Sequence, residues 1–221
     1  MGIFSFLKSY KKVKKNKKEG VQPDYPFNLR VDGIIKLDET PFLFNSDLNF
    51  DFPGGSTTIL AIGKFKFYND SFYRAYLKSS EGKEPFLQFN IDGSDVILFD
   101  TITEIYPQSE SEWNEWLEPG EGYIGQQTIE VEGKSTRIYN RVFGGDNYWT
   151  EPIQYNEHIE VSKKQSNVEN YEAPAQMMLY EYKLESGESE YIMVNFEEDE
   201  NDMDIRLYIG INIKLGSLEI I

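Results

Sequence analysis

MMLYEYKLESGESEYIMVNF, residues 177–196, sets two β-prone runs on either side of a short polar break. MMLYEYKL and YIMVNF are rich in aromatic and large apolar residues, which pack well on a pleated surface. ESGESE between them holds Gly187 and no apolar side chain, the pattern of a hairpin tip. Two more breaks repeat the pattern: SSEGKE at 79–84, between FYRAYLK and PFLQFNI, and EGK at 132–134, between QQTIEV and STRIYNRVF. The first and third hairpins also resemble each other, YRAYLKSSEGKEPFLQFNIDG beside YEYKLESGESEYIMVNFEED. Two readings stay open: a duplicated pair of β-halves, or the general likeness of acidic meanders.

The same alternation extends outward. LRVDGIIKLD (29–38) alternates around Gly33, and STTILAIGKFKFYN (56–69) and SFYRAYLKS (71–79) read as strands. In PFLFNSDLNFDF (41–52), Phe42, Phe44, Leu48, Phe50 and Phe52 fall at even spacing and would share one face of an unbroken strand. The C-terminal MDIRLYIGINIKLGSLEII is strand-like, whereas the polar SKKQSNVENYEAPAQ (162–176) reads as a loop. SESEWNEWL (109–117) is a helix: Ser109 and Glu112 form a capping box, Trp113, Trp116 and Leu117 make one stripe, and Pro119-Gly120 stop it. The expected fold is mainly β, with antiparallel meanders forming a sandwich or a partly open barrel, a short N-terminal helix and one short internal helix. Residues 1–28 form a basic amphipathic leader and linker and 29–221 an acidic β domain, with an internal division near 107–125.

Charge separates these parts. The first twenty residues hold seven lysines and one glutamate, a net of +6, so of the formal −16 the remaining 201 residues carry −22. A body this acidic repels a phosphate backbone, and no nucleic-acid partner is expected. In the leader, Ile3, Phe6, Leu7 and Tyr10 lie at helical spacing, with Phe4 beside them and Lys8, Lys11, Lys12, Lys14 and Lys15 following. The apolar group precedes the lysines, the reverse of a secretory signal, so a cytoplasmic location is expected, peripheral to the inner membrane if the leader touches it. Position 6 is Phe where a myristoylation signal needs Ser or Thr. Ile3, Phe4, Phe6, Leu7, Lys8, Lys11, Lys12, Lys14 and Lys15 are the candidate contact residues, for an anionic membrane surface through residues 1–18 or for a protein partner. The competing reading is a tail whose lysines lie on the chain's own acidic body.

Catalytic signatures are absent from the sequence. His158 is the single histidine, with Glu157 and Glu160 near it, and no G-x-S-x-G accompanies it; a surface or pairing role is expected. There is no cysteine, hence no thiolate chemistry. GKST (133–136) lacks the earlier glycine of a phosphate loop, that position being Thr128, and a strand-like run follows it. EEDENDMD (197–204) lacks the spacing and glycine of a calcium loop and reads as a solvated acidic turn. Glu112, Glu115 and Glu118 near two tryptophans suggest a sugar platform, but the helical spacing favours core packing. No cofactor is expected. The leading functional expectation is a non-enzymatic protein-interaction module; a carboxylate-based hydrolase and a cation- or ligand-binding β domain are the alternatives.

The C-terminal run from MMLYEYKL to IRLYIGINI resembles the end of the YjfK-like family of uncharacterised bacterial proteins. So does the middle of the chain, where glycine-punctuated strands lead to WNEWL and then to an R-x-F-G turn, Arg141 to Gly144. The likeness covers roughly residues 30–215 and leaves out the leader. It implies no activity and no catalytic residues. Members of the family tend to be encoded near phage-shock-type envelope-stress proteins, which implies a cytoplasmic or membrane-adjacent partner role.

Overall fold

The computed structural model describes residues 25–43, 47–78, 85–90, 95–163, 167–198 and 203–221. The strands are β1 (Ile34–Leu37), β2 (Ser56–Phe67), β3 (Asp70–Leu77), β4 (Phe86–Asn90), β5 (Val96–Ile105), β6 (Thr128–Val131), β7 (Arg137–Arg141), β8 (Ile153–Lys163), β9 (Asn167–Lys183), β10 (Ser189–Glu198), β11 (Met203–Asn212) and β12 (Leu218–Ile220). A single turn, α1 (Thr40–Leu43), and α2 (Glu110–Leu117) are the α-helices among the described residues. Antiparallel ladders run β2-β3-β4-β5-β11-β10-β9-β8, and β8 returns to β2. The result is a closed eight-stranded barrel, the barrel alternative of the sequence reading carried to full closure. Closure leaves these eight strands without a free edge. Outside it, β1 and β12 extend from β2, and β7 and β6 extend from β9.

The barrel consists of two four-stranded meanders, β2–β5 and β8–β11. First strand pairs with first (β2 with β8) and last with last (β5 with β11), both antiparallel. That arrangement relates the halves by an approximate two-fold axis. The two hairpins that resemble each other in sequence, β3–β4 and β9–β10, fall at equivalent places. Their side chains agree too: Tyr73 and Leu77 match Tyr180 and Leu184, and Leu87 and Phe89 match Ile192 and Val194, all buried on the barrel's outer wall.

Period-two alternation splits the apolar residues between two cores. One set, including Ile62, Leu87, Leu98, Ile192, Val194 and Ile209, faces outward and is covered by the segments outside the barrel. The other set, including Phe65, Phe86, Phe99, Tyr155, Met177 and Met193, fills the lumen, as expected of a barrel of this strand number. Two glycines make room where the halves join. A Cβ on Gly63 of β2 would lie 1.7 Å from Glu157 Oε1, and one on Gly210 of β11 would lie 2.5 Å from the Phe99 ring.

The sequence reading holds for α2. Ser109 Oγ accepts from the Glu112 N–H at 3.2 Å, and Glu112 Oε2 accepts from the Gln108 N–H at 2.8 Å. Trp113 meets Phe196 edge to face and Trp116 meets Tyr123 in the same way, so both rings are used for packing. Two expectations are corrected. Residues 41–52 form no strand among those described. Asp38 Oδ1 accepts from the Thr40 N–H and hydroxyl, starting α1. The backbone at Asp47 and Asn49 is satisfied by Arg137 and Glu190 side chains instead of a ladder. Phe42, Phe50 and Phe52 still cluster, but around a bend. The loop expected at 162–176 is largely β9, whose Ala173, Ala175 and Met177 face the lumen. Small inward residues and polar outward ones hid the alternation. Pro174 lies where β9 pairs only with β8, because pairing with β10 starts at Gln176, and a strand with one neighbour tolerates a missing N–H.

Candidate functional site

Arg74, on β3, projects into the lumen. Its partners lie on β4, β8, β9 and β10, a set reachable only through the barrel interior. Nε donates to Gln88 Oε1 at 3.0 Å. Nη1 donates to Tyr155 Oη and to Glu157 Oε2, both at 2.8 Å. Nη2 points at the sulfurs of Met177 and Met193. The Phe65, Phe86 and Tyr155 rings lie against the guanidinium. Tyr76 Oη completes the Glu157 carboxylate, donating to Oε1 at 2.8 Å, and Tyr155 Oη donates onward to Asn195 Oδ1 at 2.7 Å. Arg74 is 2% exposed and Glu157 3%.

The electrostatics follow from burial. Burial disfavours the Arg74 charge, but Tyr155, Glu157 and Tyr76 beside it more than offset this and hold its pKa above the ordinary guanidinium value. Burial, then the Glu157 charge, pushes the Tyr76 phenol well up. Burial raises Tyr155 to about 12, against the pull of Arg74. A guanidinium whose nitrogens all face partners inside a filled lumen acts as a cross-link between the meanders.

The chain of polar groups continues. Asn195 Nδ2 donates to Glu197 Oε1 at 2.8 Å. Across the ladder Arg206 faces Asn195 and Asp204 faces Glu197. Arg206 Nη2 lies 2.6 Å from Asp204, and its Nε lies 3.8 Å from Glu104. Burial pushes the Glu197 carboxyl up to about 8, with Arg206 opposing and Asp204 assisting. Of the acidic run at 197–204, residues 199–202 lie outside the described residues. Among the described residues no group of three or more His, Asp or Glu is placed to hold a metal ion.

Two further arginines fasten the outer segments to the wall. Glu190 is fully buried on the barrel's outside. It accepts from Arg137 Nη1 at 2.7 Å, Tyr139 Oη at 2.6 Å and the Asn49 N–H at 2.8 Å. Arg141, the first residue of the R-x-F-G turn, donates to the carbonyls of Phe143, Gly125, Gly145 and Asn147. That single side chain shapes the loop 142–150. His158 is half-buried, with Nδ1 2.8 Å from Glu172 and Nε2 3.1 Å from Asn170, a paired histidine as expected. Lys134 of GKST pairs with Asp51 at 2.7 Å, and β7 follows as a strand.

Large apolar side chains are left facing solvent at the β2–β3 turn and in the loop after β7. Tyr68, at the β2–β3 turn, is 87% exposed, Tyr148 73% and Val142 48%. The Tyr68 ring lies 4.4 Å from that of Phe67, which lies 6.3 Å from Phe143. Phe67 and Phe143 both pack on the lumen core, which brings the β2–β3 turn and the start of the loop after β7 together as an outer rim. Tyr68 also has φ 52°, a left-handed conformation that costs a bulky residue about 1–2 kcal/mol and suits glycine or asparagine.

The nine leader residues singled out from the sequence, Ile3 to Lys15, lie outside the described residues. Arg74, Glu157, Tyr68 and Tyr148 were not singled out. The signals were present: period two places Arg74 on the same face as Tyr76, and Tyr68-Asn69 is a two-residue link between strands.

Fold and site together define a closed antiparallel β-barrel protein with a filled lumen cross-linked by polar groups and an apolar outer rim. The chain belongs to the family described as protein of unknown function DUF2491, whose model matches residues 8–219. The match takes in most of the lysine-rich leader, which the likeness seen in the sequence left out. No curated protein and no solved structure matches the chain. Among the described residues no helix is long and apolar enough to cross a membrane.

Proposed function

We propose that this chain is a non-enzymatic protein-interaction module that binds a partner through the outer rim of its barrel. The observation that carries the reading is Tyr68, an aromatic side chain held in a strained backbone conformation and left almost wholly in water. Strain without burial is a cost to folding, and such outliers cluster where a surface is used. Exposed aromatic and aliphatic side chains grouped on one surface are the usual anchors of protein contacts. The filled lumen is consistent with a function carried on the outside. The basic leader supplies a second contact, to the partner or to an anionic membrane surface, with the acidic body held off by its own charge. The YjfK-like resemblance extends this to a bacterial protein acting at the inner face of the envelope under stress.

The test compares full-length wild type with the full-length double variant Tyr68→Ser/Tyr148→Ser as baits in native lysate. The reading expects a partner recovered by the wild type and lost with the variant while the thermal transition is retained. Identical recovery by both baits would contradict it.

A further inference from the structure

We propose that the barrel has one working seam: β2 and β8 part while β5 and β11 stay joined, and Tyr25 is the clasp that holds β2–β8 shut. The proposal goes beyond the partner reading; its last step, the link to the exposed turn and loop, rests on that reading.

The two seams differ in backbone. Between β5 and β11 eight residue pairs run from Ile97 with Asn212 to Ile105 with Ile205, through one bulge. Between β2 and β8 four pairs run from Ala61 with Val161 to Lys64 with His158. At one end of this short ladder β1 takes over the β2 edge, pairing with residues 56–58. At the other end residues 65–67 and 153–157 share no rung among the described residues, and each strand goes on only with its own hairpin partner, β3 or β9. There the halves meet through rings, Phe65 and Tyr155 lying 4.7 Å apart. A seam with half the rungs opens at lower cost, and such segments open as local units below the free energy of global unfolding.

Side chains replace the missing rungs on both faces. In the lumen Glu157 of β8 lies over Gly63 of β2 and accepts from Arg74 and Tyr76 of β3. Parting the seam differs from deleting one ion: both charges return to water together, and their solvation offsets the lost attraction. On the outer face Tyr25 spans the seam. Its ring packs edge to face on Tyr73 of β3 at 6.1 Å, and its hydroxyl donates to Glu160 Oε2 of β8 at 3.1 Å. Tyr73 lies across from Lys64, and Glu160 across from Ile62. Tyr25 therefore crosses β2 within the four-pair ladder. Burial, then the Glu160 charge, holds its phenol well above the ordinary value, so the hydroxyl stays a donor.

The free end of the seam lies between the two exposed elements. The β2–β3 turn with Tyr68 continues from Phe67 on one side, and the loop with Tyr148 enters β8 at Ile153 on the other. The rings of Phe67 and Phe143 join the two sides, 6.3 Å apart. A closed seam holds the turn and the loop together, and an open one separates them. A partner that grips both favours the closed state, and the clasp sets how much of that state is present before the partner arrives.

The test is site-resolved amide hydrogen exchange of the full-length native protein, read by NMR against each amide's intrinsic rate. Alternation from the two-residue turn at Tyr68-Asn69 points the N–H groups of Ile62 and Lys64 at β8. These two amides should exchange at least about tenfold faster than those bonded across β5–β11. In full-length Tyr25→Phe the ring still packs on Tyr73 but the bond to Glu160 is gone. Ile62 and Lys64 should then exchange a further three- to tenfold faster, roughly the worth of one hydrogen bond, with the β5–β11 amides unchanged. Equal protection at the two seams would overturn the proposal. So would a Tyr25→Phe protein with unchanged seam exchange, or one in which all strands lose protection alike. The measurement needs no partner, so its failure leaves the partner reading to the lysate comparison, and failure of that comparison leaves the seam to stand on the exchange rates.

Discussion

The two meanders of the barrel have the same topology and bring complementary groups to Arg74. The first, β2–β5, brings the cation Arg74 and the flat rings of Phe65, Phe86 and Phe99 to the lumen. The second, β8–β11, brings the anion Glu157, the hydroxyl of Tyr155, the amide of Asn195 and the sulfurs of Met177 and Met193. Each half satisfies part of its own buried chemistry, Arg74 with Gln88 and Tyr155 with Asn195, but the Arg74–Glu157 pair needs both. Each also contributes one glycine beneath a bulky side chain of the other, Gly63 under Glu157 and Gly210 under Phe99. The difference teaches how a barrel of two similar halves avoids pairing like with like. Only the closed arrangement places charge against countercharge and ring against glycine, and a slip in register at either seam leaves an ion unpaired in a low-dielectric lumen.

The comparison can be broken most forcefully at the ion pair. Arg74→Met leaves Glu157 buried with only the Tyr76 hydroxyl, and urea denaturation should show a loss of about 3–5 kcal/mol. An effect within error of zero would mean that the lumen is wetter than its packing implies. The seam glycine comes next. Gly63→Ala places a methyl within contact of the Glu157 carboxylate and should cost about 1–3 kcal/mol by forcing it aside, read as a lowered denaturation midpoint. Unchanged stability would show that the β2–β8 seam has slack.

A pH experiment sharpens the far end of the same polar chain. Glu197 ionises near its ordinary value in the unfolded chain but only at about 8 in the folded one. Between those values the folded state holds a proton that the unfolded state has released. Stability therefore falls as pH rises through that window and levels off above it. Glu197→Gln should flatten this slope and be more stable than wild type above the window; an unaltered slope would assign the titration to another group. The smallest effect is at the rim. Tyr68→Gly relieves the positive φ and should gain up to about 1 kcal/mol while losing partner recovery. Gain of stability with full recovery would detach the strain from function.

Local features were legible in the sequence because their physics is local. The Gly-centred break at 185–190 became the β9–β10 turn, Ser109 capped α2, and the alternation of residues 56–77 became β2 and β3. The likeness of the first and third hairpins was visible as well, although only the topology shows that they occupy equivalent places. Closure was not legible, since β2–β8 and β5–β11 join strands far apart in the chain by a register that no single segment encodes. The bend at 41–52 was hidden because partners distant in sequence, Arg137 and Glu190, satisfy its backbone. The role of Arg74 was hidden for a related reason: a lone arginine in YRAYLK reads as a solvent-facing residue until the strand carrying Glu157 is brought opposite. The leader was the strongest charge signal in the sequence, and it lies outside the described residues.

The most direct test of the central claim, that countercharges from the two halves lock a structural lumen, is a double-mutant cycle on Arg74→Met and Glu157→Leu, read by urea denaturation. The account predicts that each single change is strongly destabilising and that the double variant recovers most of the loss, because removing both ions leaves no unpaired charge and the space is filled by apolar groups. Additive losses would contradict it, showing that the two residues act independently and that something other than their pairing holds the halves together.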